Sequence, residues 1–406
     1  MSVDVRIARP DDVLPFMTAI SRAFGEEMRE EDIASWRSRL ETERIFVGWD
    51  ERQIVGGGAV YSLRFTVPGG EIPAGGVTAV GVQPTHRRQG LLRQMMAGMF
   101  AQGLERGEPA AFLWASEASI YQRFGFGLCA FKAKFDLPTR RSAFIDERPL
   151  SGRLRFVERD EAVRLLPPVH DAFRITRPGA WTRTEAWWHA LLRDPEWQRH
   201  GGGPRYVLVH ERDGRATGYV IYHLHEEWDE RGPRDLLHVF DAIALDAAAE
   251  RDIWRFLCDM DLVRTVQYDL APIDHPLLHL LREPNALGFT VGDALWARLL
   301  DVPAALAARG YATADSIAFE LRDEGLPRNA GCWRLDAGSD RPRVLPAAEG
   351  SDLVLDTTDL AAVYLGGVTF AQLRGAGRVV ERTPNAVQRA DALFASPVAP
   401  WSPLVF

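Results

Sequence analysis

Between Val77 and Leu104 lies the stretch of chain with the most pointed chemistry: Val80-Gly81-Val82-Gln83-Pro84-Thr85-His86-Arg87-Arg88-Gln89-Gly90-Leu91-Leu92-Arg93. Val77, Ala79, Val80 and Val82 read as a strand, and Pro84 ends it. From Leu91 the apolar residues Leu92, Met95, Met96, Met99, Phe100 and Leu104 fall at helical spacing. Arg87, Arg88 and Gly90 therefore stand where a helix begins. Free N–H groups of a first helical turn, with the positive end of its dipole, attract anions. Gly90 lets the backbone approach a phosphate, and the guanidinium groups add charge-assisted hydrogen bonds. The corner is predicted to hold a pyrophosphate. The G-x-x-x-x-G-K-[ST] of a P-loop is missing, and no G-x-G-x-x-G follows a strand.

An Arg-Arg-x-Gly-x-x-Arg turn after a Val-x-Val strand resembles the coenzyme A loop of GCN5-related N-acetyltransferases. Acyl transfer from a thioester needs a group that stabilises the departing thiolate, and a phenol can do so. Tyr121, in Ser116-Glu117-Ala118-Ser119-Ile120-Tyr121-Gln122-Arg123-Phe124-Gly125, stands one helical turn past the strand predicted at Ala111 to Ala115. Its residue type and spacing are equally those of an aromatic packed on Phe124 and Phe126. The chain ends Trp401-Ser402-Pro403-Leu404-Val405-Phe406, where most chains end in polar, frayed residues. An apolar end predicts a tucked terminus. Its carboxylate would become more basic if desolvated.

These groups must be positioned by the surrounding elements. A strand at Val3 to Ile7 precedes a helix opened by Pro10-Asp11-Asp12, and an acidic helix near Glu31 to Leu40 carries Trp36. Strands at Ile45 to Val47, Ile54 to Leu63 and Val77 to Val82 follow, then the Gly loop and helix, with Lys132 to Leu137 expected to close the sheet. Pro138 to Gly152 reads as a linker. A second set of strands and helices then repeats the order. Leu237 to Leu245 and the helix from Ala247 stand where the first set has its phosphate corner, but the turn Asp246-Ala247-Ala248-Ala249-Glu250-Arg251 is acidic and lacks glycine. Carboxylates repel a pyrophosphate, so a degenerate copy and a single cofactor site are expected. From about Leu300, Leu326-Pro327-Arg328-Asn329 through Leu335 and Tyr364-Leu365-Gly366-Gly367 resemble sterol-carrier-protein-2-like domains.

Among 406 residues, Lys+Arg 48 against Asp+Glu 56 gives a net charge of −8, which argues against nucleic acid or an anionic membrane as the main partner. Three separated cysteines match neither a zinc nor a disulfide spacing. No metal site is expected: His223-Leu224-His225 finds no partner cluster in the sequence, and His275 and His279 are taken as i, i+4 on a helix. No apolar run has membrane-spanning length, and a cytoplasmic protein is expected.

Taken together, the three motifs resemble the Eis (enhanced intracellular survival) family of N-acetyltransferases over essentially the full chain. The resemblance implies an α/β (α+β) fold of two tandem GCN5-related acetyltransferase domains, 1–137 and a degenerate 138–299, plus a sterol-carrier-protein-2-like domain at 300–406. It implies Tyr121 as general acid and the α-carboxylate of Phe406 as general base, acting through water. Acetyl-CoA, as co-substrate, would be contacted by Val80, Gly81 and Val82, by Arg87, Arg88, Gln89, Gly90, Leu91, Leu92 and Arg93, and by Ser116 and Glu117. Phe24, Glu26, Trp36 and Asp293 would line the acceptor site, with Glu26 replacing a more common Asp. The expected reaction is direct acetylation of primary amines of small polycations such as aminoglycosides, in a homohexamer. Acetylation of protein lysines is the enzymatic alternative, and a lipid carrier with relic acetyltransferase domains is the non-enzymatic one.

Overall fold

The computed structural model describes residues 3–230, 232–338, 341–347 and 350–406. The chain forms two compact units, Met1–Ala130 with Ala294–Pro397 and Phe406, and Phe131–Asp293 with Val398–Val405.

In the first unit, β1 (Asp4–Ile7) leads into α1 (Val13–Phe24) and α2 (Glu30–Arg37), then β2 (Ile45–Trp49), β3 (Ile54–Val67), β4 (Gly70–Val82), α3 (Leu91–Glu105), β5 (Ala110–Trp114), α4 (Ala118–Tyr121) and β6 (Gly127–Leu128). Helix α1 buries Val13, Phe16, Met17 and Ile20, and α3 buries Leu91, Met95, Met96, Met99 and Phe100. Three consecutive glycines in β3 let both helices approach the sheet. A Cβ on Gly57 would stand 2.6 Å from the Phe16 ring, and one on Gly58 2.6 Å from Met99 Cε. The β3–β4 ladder is antiparallel, and β4 runs parallel to β5 only from Ala74–Ala110 to Val77–Leu113. Beyond that point β4 continues to Val82 without β5 beside it. The two strands part there.

In the second unit, β7 (Phe131–Pro138), β8 (Arg153–Phe156), α5 (Arg159–Arg174), α6 (Glu185–Leu191), β9 (Tyr206–Arg212), β10 (Arg215–His225), the short β11 (Trp228–Asp229) and β12 (Gly232–Pro233), β13 (Asp235–Ala244), α7 (Ala247–Cys258), β14 (Val263–Ala271), α8 (Leu277–Leu280) and β15 (Thr290–Asp293) follow. Its sheet runs β15-β7-β14-β13-β10-β9-β8. Here too the parallel pair, β13 and β14, stops at Val239–Tyr268 while both strands run on. Strand, helix and strand recur, as the repeated pattern predicted, and the parting of the parallel pair recurs with them.

Three readings are corrected. The strand at Lys132 to Leu137 does not close the first sheet; it is β7, paired with β14 and β15. The first sheet instead takes β16 (Leu295–Leu299) between β5 and β6. Both segments alternate or run apolar, so periodicity alone does not choose their sheet. His275 is not on a helix but precedes α8, buried, with Nδ1 accepting from the Leu277 N–H at 3.2 Å. The segment read as a linker is held in place: Ser151 donates from N and Oγ to Asp252, and Phe144 bridges to Leu281.

The rest of the first unit comprises α9 (Val302–Ala307), β17 (Ser316–Arg322), β18 (Gly331–Asp336), β19 (Arg343–Pro346), β20 (Leu353–Asp356), α10 (Thr357–Val363), α11 (Phe370–Gly375), β21 (Val380–Glu381) and α12 (Ala386–Phe394). A five-stranded sheet in the order β19-β18-β17-β20-β21 backs these helices. Fully buried Arg298 of β16 donates to Asp323 at 2.7 Å and to Thr357 Oγ1 at 2.8 Å.

Candidate active site

The phosphate corner takes the form its residues imply. Gly90 is the N-cap of α3 with φ +84° and no side-chain capping bond, and Arg88 is also left-handed at φ +63°. Arg87, Arg88, Gln89, Gly90 and Arg93 are exposed, Leu92 is half-buried, and Leu91 is buried in the core. A Cβ on Gly90 would meet nothing within 4 Å, so its glycine serves the backbone angle and an open approach. The first-turn amides of a 15-residue helix therefore face outward beside three arginines, which suits a diphosphate. In the second unit the equivalent amides are taken. Asp246 caps α7, accepting from the N–H groups of Ala248 and Ala249 at 3.0 Å each, and Arg212 pairs with it. The start of α7 is thus self-capped where that of α3 is open.

Strand β4 carries a bulge over this region. Gly57 faces Gly81 and Ala59 faces Thr78, leaving Ala79 and Val80 opposite Gly58, with Ala79 at φ +51°. A bulge frees a backbone unit from the ladder and re-aims it. Gly81 and Val82 then run out to the corner, half-buried.

Tyr121 and Phe406 border the parting point from opposite faces of the sheet. Tyr121 packs in the cluster of Val77, Leu113, Met95 and Phe126, its ring edge-on to Phe126 at 6.0 Å. Burial, followed by the charge of Glu117, pushes its phenol up to about 12. Gly76 and Phe112 point to the other face. There Phe112 stacks on Phe65 at 4.2 Å, and Phe65 meets Phe406 edge-on at 5.8 Å. Ser116 and Glu117 follow β5 and are exposed.

Phe24 closes α1 half-exposed. Its Cε2 is 3.5 Å from the Cβ position of Gly81, so it walls the end of β4. Gly25, left-handed at φ +72°, stops the helix there and leads into exposed Glu26. Trp36 is half-buried and packs against the α1 cluster. Asp293 ends β15 opposite Phe131, in the second unit's sheet.

Sequence reasoning missed Trp114. It shares the Phe112 face of β5, and its indole N–H is buried with no hydrogen-bond partner among the described residues. An orphan donor beside the parting strands is a ready contact for a ligand carbonyl. Only the residue's place at the end of the Ala-Ala-Phe-Leu-Trp strand hinted at it.

Among the described residues no helix is long and apolar enough to cross a membrane, and no group of three or more His, Cys, Asp or Glu could hold a metal ion. Cys129 and Cys258 are buried free thiols, and Cys332 is a partly buried one.

Comparisons with known proteins agree with this geometry. Acetyltransferase (GNAT) domain families match residues 4–129 and 179–299, and a sterol carrier protein domain family matches 302–403. An uncharacterized N-acetyltransferase of Streptomyces avermitilis is 36% identical over 408 residues, covering 99% of each chain. N-acetyltransferase Eis of Mycobacterium tuberculosis is 30% identical over 411 residues, covering 98% of each. The crystal structure of Eis1 from Mycobacterium abscessus superposes with a TM-score of 0.87 at 30% identity, over 99% of this chain and 100% of that one. Two acetyltransferase domains and a sterol-carrier-like domain, the uncapped corner of α3 and relatives that span the full length lead to one conclusion: the chain is an N-acetyltransferase and belongs to the Eis family.

Proposed function

We propose that the chain transfers an acetyl group directly from acetyl-CoA to primary amines of small polycations, aminoglycosides among them. The observation that carries this reading is the pair Tyr121 and Phe406, set on opposite faces of the sheet where β4 and β5 part. Arg87, Arg88 and the first-turn amides of α3 hold the diphosphate. The parted strands leave room for the arm, and the β4 bulge offers backbone to the acyl end.

An aliphatic ammonium has a reference pKa of ~10.4 and must lose a proton before it attacks. The Phe406 carboxylate takes that proton through water. Tyr121, held neutral by its raised pKa, donates a hydrogen bond to the sulfur as the carbon–sulfur bond breaks. Full transfer from a phenol near 12 to a thiolate of reference pKa ~8.5 is uphill by roughly a thousandfold or more. The phenol therefore supports the leaving group by hydrogen bonding until solvent supplies the proton. Exposed Phe24, Glu26 and Glu27 at the end of α1, with Glu30 and Glu31 opening α2, give this region an aromatic and acidic character that favours a cationic acceptor.

The test is CoA release measured against aminoglycosides, linear diamines and lysine-containing peptides. Turnover with the small polycations supports the proposal. Turnover confined to peptides would replace it with protein lysine acetylation, and no turnover with saturable lipid uptake would favour a carrier. Native mass spectrometry checks the homohexamer that the resemblance implies.

A further inference from the structure

The second unit keeps the parted strands of its acetyltransferase ancestry but not the phosphate corner, and the cleft they leave is not closed. A cavity of about 260 Å³ lies between the ends of β13 and β14, walled by Ala242, Ala244, Glu250, Tyr268, Phe173 and Trp401. A cavity of about 150 Å³ suffices for benzene, so the space fits a ligand of roughly ten heavy atoms.

Its polar groups are unevenly paired. Asp246 is engaged by Arg212, and Asp274 by Arg177. Glu250 accepts from Trp254 Nε1 at 2.9 Å, has His275 Nε2 at 3.6 Å, and feels the charge of Arg177, which is paired with Asp274 and stands 5.8 Å over the Trp401 ring. The Leu277 N–H donates to His275 Nδ1, so the ring proton sits on Nε2, and burial pushes that imidazole down to about 3. Glu250 keeps 19% of its side chain exposed to the cavity. Burial outweighs the Trp254 hydrogen bond and the Arg177 charge and pushes its carboxyl up to about 7. Tyr268 is 1% exposed, and its hydroxyl ends beside the Ala242 backbone without a well-formed hydrogen bond. Trp401 is fixed by bonds from its N to Pro178 O at 2.8 Å and from its Nε1 to Leu270 O at 2.7 Å, with Phe173 edge-on at 5.7 Å.

We propose that this cleft binds a small organic ammonium ion, with Glu250 as its counter-ion, the Tyr268 hydroxyl as a polar contact, and Trp401 and Phe173 as its aromatic wall. The capping carboxylate of Asp246 excludes phosphates from the same cleft. Cations over aromatic faces and beside a desolvated carboxylate are favoured on both counts. The site is independent of the catalytic reading, because none of these residues belongs to the first unit.

The test uses the full chain and three probes of one shape, 2-phenylethylammonium, 2-phenylethanol and 3-phenylpropionate, followed by calorimetry and ligand-observed NMR. The ammonium is expected to bind at least tenfold tighter than the alcohol, and the propionate least. Glu250→Gln, which keeps an acceptor for Trp254, should remove that preference while acetyl-CoA turnover stays unchanged. Ala242→Leu, filling the cleft from the other wall, should abolish binding, with thermal melting used to confirm that both variants fold. Amine bound at the catalytic site would survive both substitutions. Equal binding of ammonium and alcohol, tighter binding of the propionate, or binding unaltered in both variants would overturn the proposal.

Discussion

The ring of Phe406 lies against Gly76: a Cβ at that glycine would sit 3.1 Å from two of its ring carbons. The Phe406 side chain thus rests on the last part of β4 that is still paired with β5. Glycine is needed there because any side chain would meet both Phe406 and Leu63, whose Cδ1 is 2.7 Å from the same position.

Extending the chain beyond Phe406 converts its carboxylate into an amide. If that carboxylate is the base, kcat should fall by about 10²–10⁴-fold, the usual worth of a positioned base. The acetyl-CoA dissociation constant should hold. Steady-state kinetics with equilibrium binding checks this, and full activity with a carboxy-terminal tag removes Phe406 from the mechanism.

Tyr121→Phe preserves the packing on Phe126 and removes only the hydroxyl. Turnover should drop by roughly 10²-fold or more with little change in thermal stability. Because burial holds the phenol near 12, the wild-type rate should show no fall from Tyr121 ionisation between pH 8 and 10. A pH–rate profile of both proteins reads this directly.

Gly90→Ala introduces no clash, only an L-residue at φ +84°. Left-handed backbone costs such a residue about 1–2 kcal/mol. That should raise KM for acetyl-CoA roughly tenfold while leaving kcat nearly unaltered.

Asp323→Ala strands the fully buried Arg298 guanidinium, which keeps the Thr357 hydroxyl and the Phe100 ring face but no carboxylate partner among the described residues. Removing one member of a buried ion pair costs about 3–5 kcal/mol. Urea unfolding should show a loss of that order.

His170 in α5 is 1% exposed, stands edge-on to Trp188 and has no hydrogen-bond partner on either ring nitrogen among the described residues. Burial, then Arg183 and Arg174, hold its pKa well below the ordinary value. The unfolded chain therefore binds a proton near pH 6.5 that the folded chain refuses, and stability is lost as pH falls below that point. The slope approaches about 1.4 kcal/mol per pH unit for this one group. His170→Leu should flatten it in urea titrations at pH 7, 6 and 5.

Local signals were legible wherever chemistry and backbone coincide within a few residues. The strand, Pro84, two arginines, Gly90 and the apolar seam from Leu91 predict a strand–corner–helix, because phosphate binding needs the helix start and glycine needs no partner to adopt its angle. The acidic turn at Asp246 likewise announced a corner whose first amides are capped by the chain's own carboxylate. Tertiary structure decided what depends on partners distant in sequence. Periodicity gives β7 and β16 the same apolar character, and only pairing assigns one to each sheet. Tyr121 read equally as catalyst or packing, and only the folded chain shows that it is buried edge-on to Phe126 on the face of Val77 and Leu113. The apolar tail announced burial, but not that Trp401 walls a cleft in one unit while Phe406 meets Gly76 in the other. Trp114 carries no motif at all; a buried indole N–H without a partner among the described residues is what marks it, and burial is a property of the packed chain.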